Sequence, residues 1–220
     1  MIKLAVFDWN ATLLSDTKEN LEADNHVLKT FGGRQVSLKQ YQDTFDIPAI
    51  DFYVKHGCDR QQLTRESKRL GQVFHEFYEP RAVKCRTRKG AKQLLEWLMG
   101  KKIPAIILSN HTVEGINSQL ARLGLQGQFT HIVANSELET AMKERNKLEK
   151  LRKYLNEQGY KANEAVIIGD SPEEVHIGKE LGLKTIAIKH GFYSTARLKK
   201  AQPDYLVGAL GGIRKIIEGR

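Results

Sequence analysis

Two cysteines, five prolines and no apolar run near the ~18 residues of a membrane helix set the first limits on this 220-residue chain. Cys58 and Cys85 are too few for a disulfide framework, and neither stands in a CxxC pair or at metal-ligand spacing from a histidine. They read as idle or buried thiols in a reducing cytosol. His26, His56, His75, His131, His176 and His190 are scattered, with no pair at ligand spacing that also finds a carboxylate, so zinc is not expected. The first residues, Met1-Ile2-Lys3-Leu4-Ala5-Val6-Phe7, go straight into a strand pattern without the apolar region of a signal peptide. No repeat or low-complexity tract interrupts the chain. The expectation is a mature, soluble, cytoplasmic protein with no membrane partner, a monomer or homodimer.

Acidic residues are the other scarcity: 26 Asp and Glu stand against 35 Lys and Arg, a formal charge of +9. Such a field favours anionic partners without choosing among nucleic acid, lipid headgroup and small phosphorylated metabolite. Lys143–Lys153 alternates acids and bases, with Leu148, Leu151 and Leu155 on one side, which describes a solvated helix face. No helix-turn-helix, zinc-finger or single-strand-binding pattern is present, so no specific nucleic-acid partner is expected.

What the chain does contain is a series of short apolar runs at 2–7, 103–108, 131–134, 165–168 and 183–188, each suited to a strand buried on both faces. Amphipathic stretches at 90–99, 113–123, 144–158 and 173–181 lie between them. Their alternation predicts an α/β fold, a Rossmann-like parallel sheet with helices on both faces. Residues 16–84 break the rhythm with helical patterns alone, at 21–31, 38–45, 50–55 and 61–78. This segment reads as a small helical cap domain over the ligand crevice of a core made of residues 1–15 and 85–220.

Polar residues stand just beyond the apolar runs: Asp8, Ser109-Asn110 and Gly169-Asp170, with Lys143 some way after the third. In a parallel sheet these strand ends share one edge, so they converge on one crevice. Asp8 and Asp170 offer two carboxylates to a hard cation, for which Mg²⁺ is the natural choice. Lys143 adds positive charge, Ser109 can hold phosphoryl oxygens, and Asp8 can attack phosphorus.

Phe7-Asp8-Trp9-Asn10-Ala11-Thr12-Leu13, Leu108-Ser109-Asn110, Lys143 and Ile168-Gly169-Asp170-Ser171-Pro172-Glu173-Glu174 together resemble the four motifs of the haloacid dehalogenase superfamily. Within it the chain is most similar to phosphoglycolate-phosphatase-type hydrolases, a likeness that extends to the cap stretch at 41–57 and the tail at 191–205. The resemblance implies a phosphatase acting on a small phosphorylated metabolite. Asp8 would form an aspartyl-phosphate, and Mg²⁺ would be held by Asp8, Asp170 and the backbone carbonyl of Asn10. Thr12 would orient the first loop, Ser109 and Asn110 would bind the phosphoryl group, and Lys143 would pair with it, Lys147 being the competing lysine.

Three positions depart from that pattern. Asn10 replaces the aspartate that usually serves as general acid and base, help typically worth ~10²–10⁴-fold in rate. Ala11 replaces the usual glycine, which raises the question of a conformation that only glycine tolerates freely. Glu174 replaces a second aspartate and divides between a metal-shell role and an ordinary first-turn helix acid. Asp8–Thr12 also resembles phosphonoacetaldehyde hydrolases, which use a cap lysine as a Schiff base; Lys55 is the candidate. A non-catalytic, phosphate-binding member without the acid is the other alternative. His111 divides between substrate contact and a helix-start residue, and Trp9 between lining the site and packing.

Overall fold

A computed structural model describes residues 1–219. Six strands, β1 (Leu4–Phe7), β2 (Ala105–Thr112), β3 (His131–Asn135), β4 (Ala165–Gly169), β5 (Lys184–Ile188) and β6 (Tyr205–Val207), form one sheet in the order β3-β2-β1-β4-β5-β6. Every adjacent pair is parallel, as the unbroken apolar runs require.

The twofold period of a strand divides its residues between two cores. Ala5, Phe7, Ile107, Val166 and Ile168 face one layer. There they meet α6 (Ala91–Gly100), α7 (Val113–Leu123) and α12 (Ile213–Ile217). Leu4, Val6, Ile106, Leu108 and Ile167 face the other. That side is covered by α9 (Lys147–Gln158) and α10 (Pro172–Leu181) through Leu151, Leu155 and Ile177. A four-residue α8 (Thr140–Lys143) precedes α9, and α11 (Thr195–Ala201) lies between β5 and β6.

Five helices follow β1: α1 (Thr17–Thr30), α2 (Leu38–Thr44), α3 (Ala49–Lys55), α4 (Arg60–Arg65) and α5 (Ser67–Ala82). The pattern that reads as one helix over 61–78 is two, because the chain breaks at Glu66. These helices have an aromatic core of their own, with Tyr41, Phe45, Phe52 and Tyr53 packed ring on ring, and Phe192 and Tyr193 enter it from beyond β5. The two chain segments that join them to the sheet run antiparallel. Ser15 N–H donates to the Arg86 carbonyl at 2.9 Å, Arg88 N–H donates to that of Leu13 at 2.8 Å, and Leu14 pairs with Thr87.

Candidate active site

β1 ends against β4, where Asp8 N–H donates to the Ile168 carbonyl at 2.9 Å, and the chain turns sharply after Trp9. Trp9 is fully buried and packs edge-on to Phe129, so it supports the site from below. The turn carries Ala11 at φ +54°, so a left-handed backbone is required here and alanine adopts it. Arg88 steadies the turn by donating to the Ala11 carbonyl and the Lys189 carbonyl, both at 2.7 Å.

Asp8 and Asp170 stand at the ends of β1 and β4, which are neighbours in the sheet. Asp170 accepts from Thr12 Oγ1 at 3.2 Å and from the Phe192 N–H at 2.6 Å. The chain beyond β5 comes so close that a Cβ on Gly191 would lie 2.1 Å from Asp170 Oδ2, so glycine is needed there. Asp8 accepts a 2.7 Å hydrogen bond from the buried ammonium of Lys147, the first residue of α9. Lys147 also donates to Glu174 Oε1 at 2.6 Å. The other oxygen of Glu174 takes the N–H and hydroxyl of Ser171 and closes the capping box of α10. One carboxylate therefore joins the starts of two helices.

Residue spacing favours Lys143 beside Asp8, and the geometry corrects it to Lys147. Lys143 is exposed at the end of α8 and pairs at 3.6 Å with Glu139. The chain leaves helical geometry between α8 and α9, so counting from β3 misplaces the ammonium. A signal is present in the sequence: Lys147 lies four and eight residues before Leu151 and Leu155, on the apolar stripe of α9.

Ser109 is buried, and its Oγ accepts from the His111 N–H at 3.1 Å. Asn110 Nδ2 donates to Glu173 Oε2 at 2.9 Å, and the Asn110 carbonyl accepts from Asn135 Nδ2. Asn10 Nδ2 donates to Asp16 Oδ2 at 2.7 Å and contacts the Tyr78 hydroxyl at 2.9 Å. Tyr78 donates to the same Asp16 oxygen at 2.6 Å. Asp16 and Tyr78 carry no sequence signal of this contact, because one stands at the start of the helical segment and the other near its end, 62 residues later. Lys55 is exposed at the end of α3 and is not among the residues that line the cavity.

Asp8, Asn10, Ser109, Asn110, Lys147 and Asp170 all border a single cavity. Its far wall comes from the helical segment, including Phe45, Tyr53, Phe74 and Tyr78. His111 also borders it, beside His75; the structure unites these histidines with Glu79, against the expectation of scattered residues.

Burial pushes the Asp8 carboxyl up to about 7, an effect Lys147 opposes and Glu174 reinforces. Burial, then Asp8 and Glu174, hold Asp170 well above the usual carboxylate range. Burial works against the Lys147 ammonium, but Asp8 and Glu174 outweigh it and keep it charged. Asp8, Asp170, Glu173 and Glu174 thus crowd about one ammonium. Burial and mutual repulsion disfavour the charged forms of Asp8 and Asp170 on their own, and a hard divalent cation such as Mg²⁺ fits their oxygen donors and would favour both as carboxylates.

The family model described as haloacid dehalogenase-like hydrolase matches residues 5–188. Phosphoglycolate phosphatase of Synechococcus elongatus is 26% identical over 92% of this chain and 91% of its own length. Pyrophosphatase PpaX of Halalkalibacterium halodurans is 20% identical over 98% of this chain and 97% of its own. A solved haloacid dehalogenase-like family hydrolase from Streptococcus pneumoniae shares the fold, with a TM-score of 0.81 at 19% identity over 98% of each chain.

Proposed function

The chain belongs to the haloacid dehalogenase-like hydrolases, and we propose that it is a Mg²⁺-dependent phosphatase acting on a small phosphorylated metabolite through an aspartyl-phosphate on Asp8. The observation that carries this reading is the buried Asp8 carboxylate, 2.7 Å from Lys147 and bordering the same cavity as Asp170. Residues 1–15 and 85–220 act as the catalytic core and 16–84 as the cap that selects the leaving group.

Asp8, Asp170 and the carbonyl of Asn10 would hold Mg²⁺. When bound, the cation neutralises phosphoryl charge and lets an anionic nucleophile approach an anionic substrate. Ser109 and Asn110 hold the phosphoryl oxygens, and the Lys147 ammonium offsets their charge. An Asp8 oxygen forms a bond to phosphorus as the bond to the leaving oxygen breaks. Water then attacks the same phosphorus, releasing phosphate and restoring the carboxylate.

Asn10 has no proton to give, and its amide is engaged by Asp16 and Tyr78. The leaving oxygen must therefore depart as a stabilised anion or take its proton from water. The expected preference is for leaving groups of low basicity, by up to the ~10²–10⁴-fold that acid catalysis supplies.

The test is hydrolysis of an aryl phosphate and an alkyl phosphate with and without Mg²⁺, wild type beside Asp8→Asn. The expected result is Mg²⁺-dependent turnover, faster on the aryl ester, that vanishes in the variant. Turnover that survives in Asp8→Asn would overturn the assigned nucleophile.

A further inference from the structure

On the wall of the Asp8 cavity, away from the carboxylates of the sheet edge, three side chains of another chemistry converge where α5 meets the end of β2. His75 and Glu79 are one helical turn apart on α5 and share a face. His111 comes from β2. His75 Nδ1 is 3.0 Å and His111 Nε2 is 3.3 Å from the same oxygen, Glu79 Oε1. Both rings are buried and nearly parallel, 5.3 Å apart. In a tetrahedral zinc site with bonds of ~2.0–2.1 Å, neighbouring ligand atoms stand about 3.3 Å apart, so both observed separations fit edges of that shell.

The hydrogen bonding around His111 supplies a second argument. An indole N–H can only donate, so the 2.5 Å contact from Trp9 Nε1 fixes Oε1 of Gln119 as the acceptor. The Gln119 amide nitrogen is thereby turned towards His111 Nε2, at 3.4 Å. A donor there calls for a lone pair on Nε2, but that lone pair also confronts the carboxylate of Glu79. A proton on Nε2 would suit Glu79 and oppose Gln119. A cation placed between the imidazole and the carboxylate takes a lone pair from each, and the contact it weakens is the already long one to Gln119. The ring occupies space that only a glycine at position 115 leaves, since a Cβ there would lie 2.7 Å from Nε2 and Cε1.

We propose that His75, Glu79 and His111 form a second metal site, for a divalent cation of the Zn²⁺ class, with a fourth position open to the cavity. Two imidazoles and one carboxylate suit Zn²⁺, Co²⁺ or Ni²⁺, whereas Mg²⁺ favours oxygen ligands, so the two sites sort cations by softness. Two ligands lie on the helical segment and one on the sheet. A bound ion therefore staples α5 to β2 at the side of the cavity and limits how far the helices can lift.

The probe is Co²⁺ titrated into metal-stripped protein in excess Mg²⁺, read by the visible band of tetrahedral cobalt. The expected result is one equivalent per chain, displaced by Zn²⁺, accompanied by slower amide exchange in α5. Glu79→Gln and His75→Ala should each weaken binding at least tenfold, and Asp170→Asn should leave it unchanged. Glu79 is partly exposed, so Glu79→Gln decides the matter even if His75→Ala fails to fold. Absence of the band, a band indifferent to Glu79→Gln, or one lost in Asp170→Asn would overturn the proposal.

Discussion

Asn10 and Asp16 are bound side chain to side chain, with the Asn10 amide donating to the carboxylate at 2.7 Å. Asp16 is fully buried, and burial pushes its carboxyl up to about 6, so it is mostly ionised at neutral pH. Asn10→Asp, which would restore the acid typical of related phosphatases, also sets two carboxylates in contact. The expected outcome is no gain in turnover and a loss of about 1–3 kcal/mol in stability, the cost of a buried polar group without its partner. The double variant Asn10→Asp/Asp16→Asn re-creates the hydrogen bond with its ends exchanged and should recover most of that loss. Denaturant titration and aryl-phosphate assays check both, and a tenfold rate gain in the single variant at full stability would refute the account.

The two lysines four residues apart separate cleanly. Lys147→Met leaves Asp8 and Glu174 without their shared ammonium, and breaking a buried ion pair costs about 3–5 kcal/mol. Its kcat/KM should fall at least about 10²-fold if the ammonium is part of the electrostatic machinery. Lys143→Ala removes only an exposed pair and should stay within about 0.5 kcal/mol of wild type. Similar kinetics for the two variants would contradict the assignment of Lys147.

Asp24 makes a pH prediction away from the proposed metal ligands. It accepts hydrogen bonds from Tyr41 at 2.8 Å and Tyr53 at 2.5 Å, and burial pushes it from 3.8 up to about 7. Folding therefore favours the protonated form. Its contribution is complete below about pH 4, falls as the pH rises from there to about 7, and is constant above. The full change across that interval is on the order of 4 kcal/mol. Wild-type stability relative to Asp24→Asn should decline over the same interval, measured as denaturation midpoints from about pH 4.5 to about pH 7.5. A constant difference would show that the carboxyl does not titrate in this range.

Mg²⁺ should raise the thermal midpoint, because a ligand that binds only the folded state stabilises it by about 2.7 kcal/mol at a hundred times its Kd. Asp170→Asn should lose this response, and chelator should abolish it in wild type. A midpoint indifferent to Mg²⁺ would remove the cation from the Asp8–Asp170 pair.

The sheet is legible in the sequence because strands buried on both faces, such as Ala165–Gly169, leave continuous apolar runs. Tyr205–Val207 is not: three residues, partly exposed at the sheet edge, leave no such run. Asp8 and Asp170 follow β1 and β4 directly, and Ser109 and Asn110 lie in the last half of β2, so topology alone unites them. Lys147 lies beyond an irregular turn, where counting residues fails and only the helical stripe places it. Asp16 with Asn10, and His111 with Glu79, depend on how the helices fold back over the sheet, which residue spacing does not encode.

Arg88 lies just past the point where the chain returns from the helices, and its side chain holds the turn bearing Asp8 while its own N–H holds Leu13. The junction of the helical segment with the sheet and the turn after Asp8 therefore share one residue, Arg88. Removing the Arg88 side chain would free the turn beside the nucleophile and the junction with the helices at the same point.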